Sequence, residues 1–210
     1  EQQFISVVQV GEYFFKGKSP KKAEQRVTEL KVAGFVRYEK ASHKRSVIRL
    51  TREGVSFVRE RTALEIHQDK MIQPSTFVHD ALVTSVRLRL EELFDAGWVP
   101  EKAIRSDEFS QVPDGLLLFE SGKRFAVEVE NSPKGITRFK NLLERWRRIP
   151  IAFVLYVAAN PKLYSLLVRR MEEHGKGLPL GLVNWEDLSR GIPKVWTPRG
   201  EITLFSKRSY

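Results

Sequence analysis

The residues of this chain best suited to chemistry lie between positions 112 and 130. Pro113-Asp114-Gly115 opens the apolar run Leu116-Leu117-Leu118-Phe119, Glu120-Ser121-Gly122 follows, and Lys123-Arg124-Phe125-Ala126-Val127 leads into Glu128-Val129-Glu130. That pattern reads strand, turn, strand. A three-residue turn puts Gly122 at the third position, which calls for a positive φ, and pairs Phe119 with Lys123. Counting back, Asp114 then faces Glu128, and Glu130 lies on the same side of the hairpin. Leu117, Phe119, Phe125, Val127 and Val129 make the opposite, apolar side. A two-residue Ser-Gly turn would set Asp114 against Val129 and scatter the acids, and Ser is a poor first residue for such turns. The three-residue turn is therefore the expectation.

Three carboxylates held together repel one another unless protons or a cation neutralise them. Carboxylate oxygens, a carbonyl and water suit magnesium or manganese, which can polarise a phosphodiester and generate hydroxide from bound water. Glu130 could add a second cation site or serve as a general base. The plainer alternative is that Pro-Asp-Gly is only a turn and that Glu128 and Glu130 line a solvated strand face.

With 210 residues and 41% hydrophobic composition, the chain can form one large or two small globular domains. Cysteine is absent, which excludes disulfides and thiolate metal sites and is compatible with a reducing cytoplasm. No apolar run approaches the ~18 residues of a membrane span, and no secretory signal is apparent. The expected location is cytoplasmic, with no membrane partner. Because the sequence opens on Glu1, a preceding segment is also an open expectation.

The formal net charge of +10 is concentrated near the N-terminus. Between positions 16 and 52, twelve Lys or Arg stand against only Glu24, Glu29 and Glu39. A polyanion is the partner such a region suits. Val7, Val8 and Val10 fall in an opening helix. Ser19-Pro20 starts a second, with Ser as N-cap, and Gly34 stops it. Ala23, Val27, Leu30 and Val32 form its apolar face, whereas Lys18, Lys21, Lys22, Gln25 and Arg26 lie outward. Two strands, 35–38 and 46–50, flank a loop with Lys40, His43, Lys44 and Arg45, after which Thr51 caps a third helix.

Helix, Ala33-Gly34-Phe35, two-stranded hairpin and Leu50-Thr51-Arg52-Glu53-Gly54 together resemble a winged-helix DNA-binding domain over roughly a quarter of the chain. The resemblance implies that residues 20–33 enter a major groove while the loop follows phosphates. Dimerisation or partner binding is the alternative use of such a domain.

Residues 1–62 make this domain and 63–75 a linker. A second domain, 76–210, starts with a helix from Val78 to about Ala96, striped by Leu82, Val86, Leu90, Leu93 and Phe94 and stopped by Gly97. Strands are expected at 103–108, 114–119 and 124–130, then a basic helix at 137–148. A doubly buried strand at 151–159 and a helix at 161–174 follow. The segments 180–183 and 195–205 read as edge strands and an extension. The fold class is α+β, with a central mixed sheet flanked by helices.

That element order, with Pro113-Asp114 on one strand and Glu128-Val129-Glu130 on the next, resembles the PD-(D/E)XK restriction-endonuclease-like superfamily. Joined to an N-terminal winged helix, and with His79-Asp80-Ala81-Leu82-Val83 at the helix start, it is similar to the plasmid replication-relaxation family and the MobC-type relaxases. The resemblance implies a metal-dependent endonuclease that nicks one DNA strand at a plasmid transfer or replication origin during mobilisation. Mg2+ or Mn2+ would be held by Asp114 and Glu128, with Glu130 standing where the superfamily usually has lysine. Lys134 or Lys123 would then supply charge from nearby.

His79 would touch the phosphate or metal, its plainer role being a hydrogen-bonded structural group. Glu91, with Glu92, is a further candidate ligand, and Asp107 and Glu108 are weaker ones. Lys134 and Arg138 open a basic helix that would guide phosphate. The partners implied are a double-stranded origin site, single-stranded DNA near the nick, and relaxosome or coupling proteins. Two alternatives stay open: a DNA-binding replication or mobilisation factor with a degenerate nuclease fold, and a restriction or repair endonuclease.

Overall fold

The computed structural model describes residues 4–42, 45–62, 72–104, 109–191 and 193–203. The chain divides into two compact units, Glu1–Ser85 and Val86–Tyr210. Helices and strands are mixed in both.

In the first unit, α1 (Val7–Phe14) and α2 (Pro20–Val32) precede a hairpin of β1 (Val36–Ser42) and β2 (Arg45–Leu50), and α3 (Arg52–Arg59) follows. Ser6 starts α1 with a capping box, its side chain accepting from the Gln9 amide while the Gln9 side chain accepts from Ser6 N–H. Ser19 and Pro20 open α2 as expected, and Gly34, at φ 80°, ends it in a conformation that other residues adopt at a cost. Thr51 caps α3 by accepting from the Gly54 amide at 3.0 Å.

The first unit's core joins Val27, Val36 and Ile48 to Ile5, Val7, Val10, Leu30 and Leu50. Val32, expected on that buried face, is 83% exposed because it falls off the stripe set by Ala23, Val27 and Leu30. A second cluster gathers Phe4, Val47, Ile72 and Phe77 with Ala81. Phe77 and Ala81 belong to α4 (Phe77–Leu93), so the division between the units falls inside that helix.

Among the described residues the second unit is built on a seven-stranded sheet, β3 (Ala96–Pro100), β4 (Gly115–Phe119), β5 (Arg124–Glu130), β6 (Phe153–Ala158), β7 (Leu180–Asn184), β8 (Lys194–Thr197) and β9 (Gly200–Thr203), in that spatial order. β5, β6 and β7 run parallel, and the other neighbours are antiparallel. The parallel crossovers carry α5 (Ile136–Trp146) and α6 (Pro161–His174), and α7 (Trp185–Arg190) links β7 to β8. Ala126, Tyr156 and Ala158 from the sheet pack with Phe139, Leu143 and Trp146 of α5 and Leu163, Leu167 and Met171 of α6. The opposite face carries a chain of rings: Phe119 meets Phe125 at 4.7 Å, and Phe125 meets Phe153 at 5.2 Å.

Several expectations shift. A strand that was not expected, 96–100, pairs with β4 at this edge, and the strand expected at 103–108 falls largely on residues that are not described. Residues 101–103 form a short 3-10 turn, and 105–108, including Asp107 and Glu108, lie outside the described residues. Gly97 does not stop α4 but pairs with Leu118 inside β3, because the helix has already ended at Leu93. Within α4 the buried stripe runs through Val83, Val86, Leu90 and Leu93, with Leu82 only half-buried. The segment 180–183 is no edge: β7 lies between β6 and β8 with all five residues buried.

Candidate functional site

The β4–β5 hairpin sets the geometry of the acids. Phe119 N–H donates to Lys123 O at 3.0 Å, Gly122 N–H donates to Phe119 O at 2.8 Å, and Gly122 sits at φ 76°. The turn thus has three residues. Its register pairs Gly115 with Val127, so one step further Asp114 stands across from Glu128. All three acids fall on the helix-covered face, the side of Leu116 and Ala126.

Burial decides between the two readings of these acids. Glu128 and Glu130 are each only 4% exposed, which rules out a solvated strand face. Glu128 pairs across the parallel strands with Tyr156, whose hydroxyl accepts from Trp146 Nε1 at 3.0 Å beneath α5. Each acid is held differently. Asp114 Oδ2 accepts from Val129 N–H at 2.7 Å, tying the entry of β4 to the backbone of β5. Glu130 forms an ion pair with Lys134. Glu128 Oε1 is buried with no hydrogen-bond partner, a costly state for a carboxylate oxygen.

The electrostatics follow from this packing. Burial, then the Asp114 charge and that of Glu130, pushes the Glu128 carboxyl well above the usual carboxylate range, while Lys134 and a hydrogen bond from Gln111 oppose the rise. Burial and the charges of Glu128 and Glu130 likewise push the Tyr156 phenol up. Asp114, Glu130, Lys134 and Gln111 thus all act on the Glu128 carboxyl.

These donors are hard oxygens, the set magnesium or manganese prefers, and the orphaned Glu128 oxygen fits a cation. Among the described residues, however, no three His, Asp or Glu side chains stand as a group that could hold a metal ion. Asp114 is engaged by the Val129 amide, and Glu130 by Lys134.

The other sequence candidates have surroundings of their own. Glu91 is held by Arg87 on the preceding turn of α4, which binds its two oxygens at 3.1 and 3.4 Å. Glu92 is paired with Arg89. His79 is half-buried near the start of α4, in the first unit. Lys18, Lys21, Lys22, Gln25, Arg26 and Lys40 are all exposed, with Gln25 and Arg26 sharing Glu29. Arg49 is not part of that basic surface: it is 3% exposed, and its Nη1 binds both oxygens of Glu39. His43, Lys44 and the Arg45 side chain lie outside the described residues. Arg138 is exposed on α5.

Sequence reasoning named Lys134 but not its partner. Arg170 on α6 donates to Lys134 O at 2.6 Å, which helps hold the loop that lets Lys134 reach Glu130. Gln111 was missed, since no periodicity marks a residue in an irregular approach loop. Compared with protein-family models, curated proteins and solved structures, the chain gives no match.

Proposed function

We propose that this chain is a DNA-processing protein in which a winged helix, the first unit, binds duplex DNA, and a PD-(D/E)XK-like second unit nicks one strand with a divalent metal. The observation that carries the reading is a carboxylate, Glu128, with an orphaned oxygen, its pKa raised by burial and then by two neighbouring acids against the pull of one lysine. Asp114 and Glu128 would hold Mg2+ or Mn2+, which when bound polarises a phosphodiester and lowers the pKa of bound water. Lys134 stands in for the lysine usual to that superfamily, and Glu130, which replaces it in sequence, positions Lys134. Exposed Arg138 and Lys140 on α5 offer phosphate contacts.

By resemblance, the target is a plasmid transfer or replication origin, with single-stranded DNA near the nick. Relaxosome or coupling proteins would be partners, and the setting would be the cytoplasm. No helix among the described residues is long and apolar enough to cross a membrane. A second reading, a DNA-binding replication or mobilisation factor that no longer cuts, draws on the same site: Lys134 pairs with Glu130, and no three-ligand group is formed among the described residues.

Supercoiled plasmid carrying candidate origins, incubated with protein and manganese, separates the readings. Nicked circles support the first, retardation without nicking the second, and linear fragments a restriction or repair endonuclease. Asp114→Asn and Glu128→Gln should each abolish nicking while binding persists. Nicking that survives in either variant refutes the assignment of the site.

A further inference from the structure

Where β5 ends after Glu130, the chain turns through Asn131 and Pro133 and faces α6 across a cavity of about 500 Å3. Its α6 wall presents Lys162, Leu166 and Arg169, spaced four and three residues apart and so on one side of the helix, with Leu163 beside them. The cavity adjoins the acids through the backbone: Ala159 N–H donates to Glu130 O at 2.9 Å, and Asn160 then caps α6 by accepting from the Leu163 amide. No acidic side chain among the described residues lines it. Among the described residues Lys162 and Arg169 have no ion-pair partner, unlike the Arg190 and Lys194 of the same unit, which are paired with Glu186 and Glu201.

We infer that this cavity seats one unpaired nucleotide of a single-stranded DNA segment. Two exposed cations without counter-ions suit a phosphate, whereas Pro133, Leu163 and Leu166 offer an apolar wall for a base or sugar face. The Asn131 amide can read a base edge. The volume lies within the roughly 300–1,000 Å3 typical of small-ligand sites. It takes a nucleotide but not a duplex, whose bases would have to leave the stack to enter. The inference rests on the proposed function only for the choice of DNA as the polymer.

The test is fluorescence anisotropy of a labelled single-stranded oligodeoxynucleotide in EDTA, where cutting plays no part. The double reversal Lys162→Glu/Arg169→Glu should weaken binding roughly tenfold and lower the slope of log affinity against log salt by about 0.7, the share of the one phosphate the two cations hold. Leu166→Trp, which fills the cavity without changing charge, should weaken binding and leave the slope intact. Arg190→Glu/Lys194→Glu, the same charge change elsewhere on the unit, should leave affinity unchanged.

Full affinity in the Lys162/Arg169 or Leu166 variant overturns the inference, as does an equal loss in the Arg190/Lys194 variant. The two proposals fail separately. A protein that never nicks can still lose single-strand affinity on cavity substitution, and one that nicks can prove indifferent to it.

Discussion

Replacing Glu128 by Gln should make the second unit more stable as pH rises, because the wild-type carboxyl is folded into a place that disfavours its charge. Its pKa is raised from an ordinary value near 4.5 by burial and by Asp114, so the folded protein binds that proton more tightly than the unfolded chain does. The stability this proton brings is complete below the unfolded pKa and is lost as pH climbs toward the folded one. Between those limits each pH unit costs about 1 kcal/mol. Gln at 128 carries no titratable proton and removes that slope. Urea unfolding of both proteins in EDTA, at pH 5, 6, 7 and 8, measures it. A constant offset from exchanging the oxygen for an amide is immaterial; what matters is that the gap widens with pH. Parallel curves across that range would refute the reasoning, since they would mean that Glu128 titrates alike in the folded and unfolded chain.

Three other outcomes follow from the same structure. Magnesium should stabilise the wild type by about 2.7 kcal/mol at a hundredfold excess over its dissociation constant, and should leave Glu128→Gln unmoved, as thermal melts will report. Gly115→Ala should destabilise the protein by about 1–3 kcal/mol, since the new Cβ would lie 2.0 Å from the Trp98 ring; an unchanged melting temperature contradicts the close packing of that indole. Replacing Lys21, Lys22 and Arg26 with Ala should weaken duplex binding and reduce its salt slope by about 0.9 for each phosphate that no longer has a cation beside it, whereas undiminished affinity in a gel-shift titration would remove α2 as the reading helix.

The hairpin was legible because its information is local. Gly122 marks the third turn position, and the period of two then sends Asp114, Glu128 and Glu130 to one face and the phenylalanines to the other. The doubly buried β6 and the Asn160-Pro161 start of α6 were legible for similar reasons: an unbroken apolar run and an N-cap. What depends on distant packing was not. Gly97 looks like a helix stop, but α4 had already ended and the edge strand β3 accommodates a glycine with open space above its Cα. β7 is too short to declare itself central, and only its place between β6 and β8 buries it. Nor does any pattern announce that Gly115 lies under Trp98, or that Glu128 is covered by the α5 side of the core.

The contact between Asp114 and the Val129 amide bears on how the history of such a protein is judged. An aspartate that also clasps a sheet backbone is kept by selection for folding even in a lineage that has given up catalysis. Its persistence in a relative is then no sign of a working enzyme, and alanine there would loosen the scaffold along with the chemistry. Asparagine keeps the clasp and discards the charge, so it alone asks about catalysis without also asking about architecture.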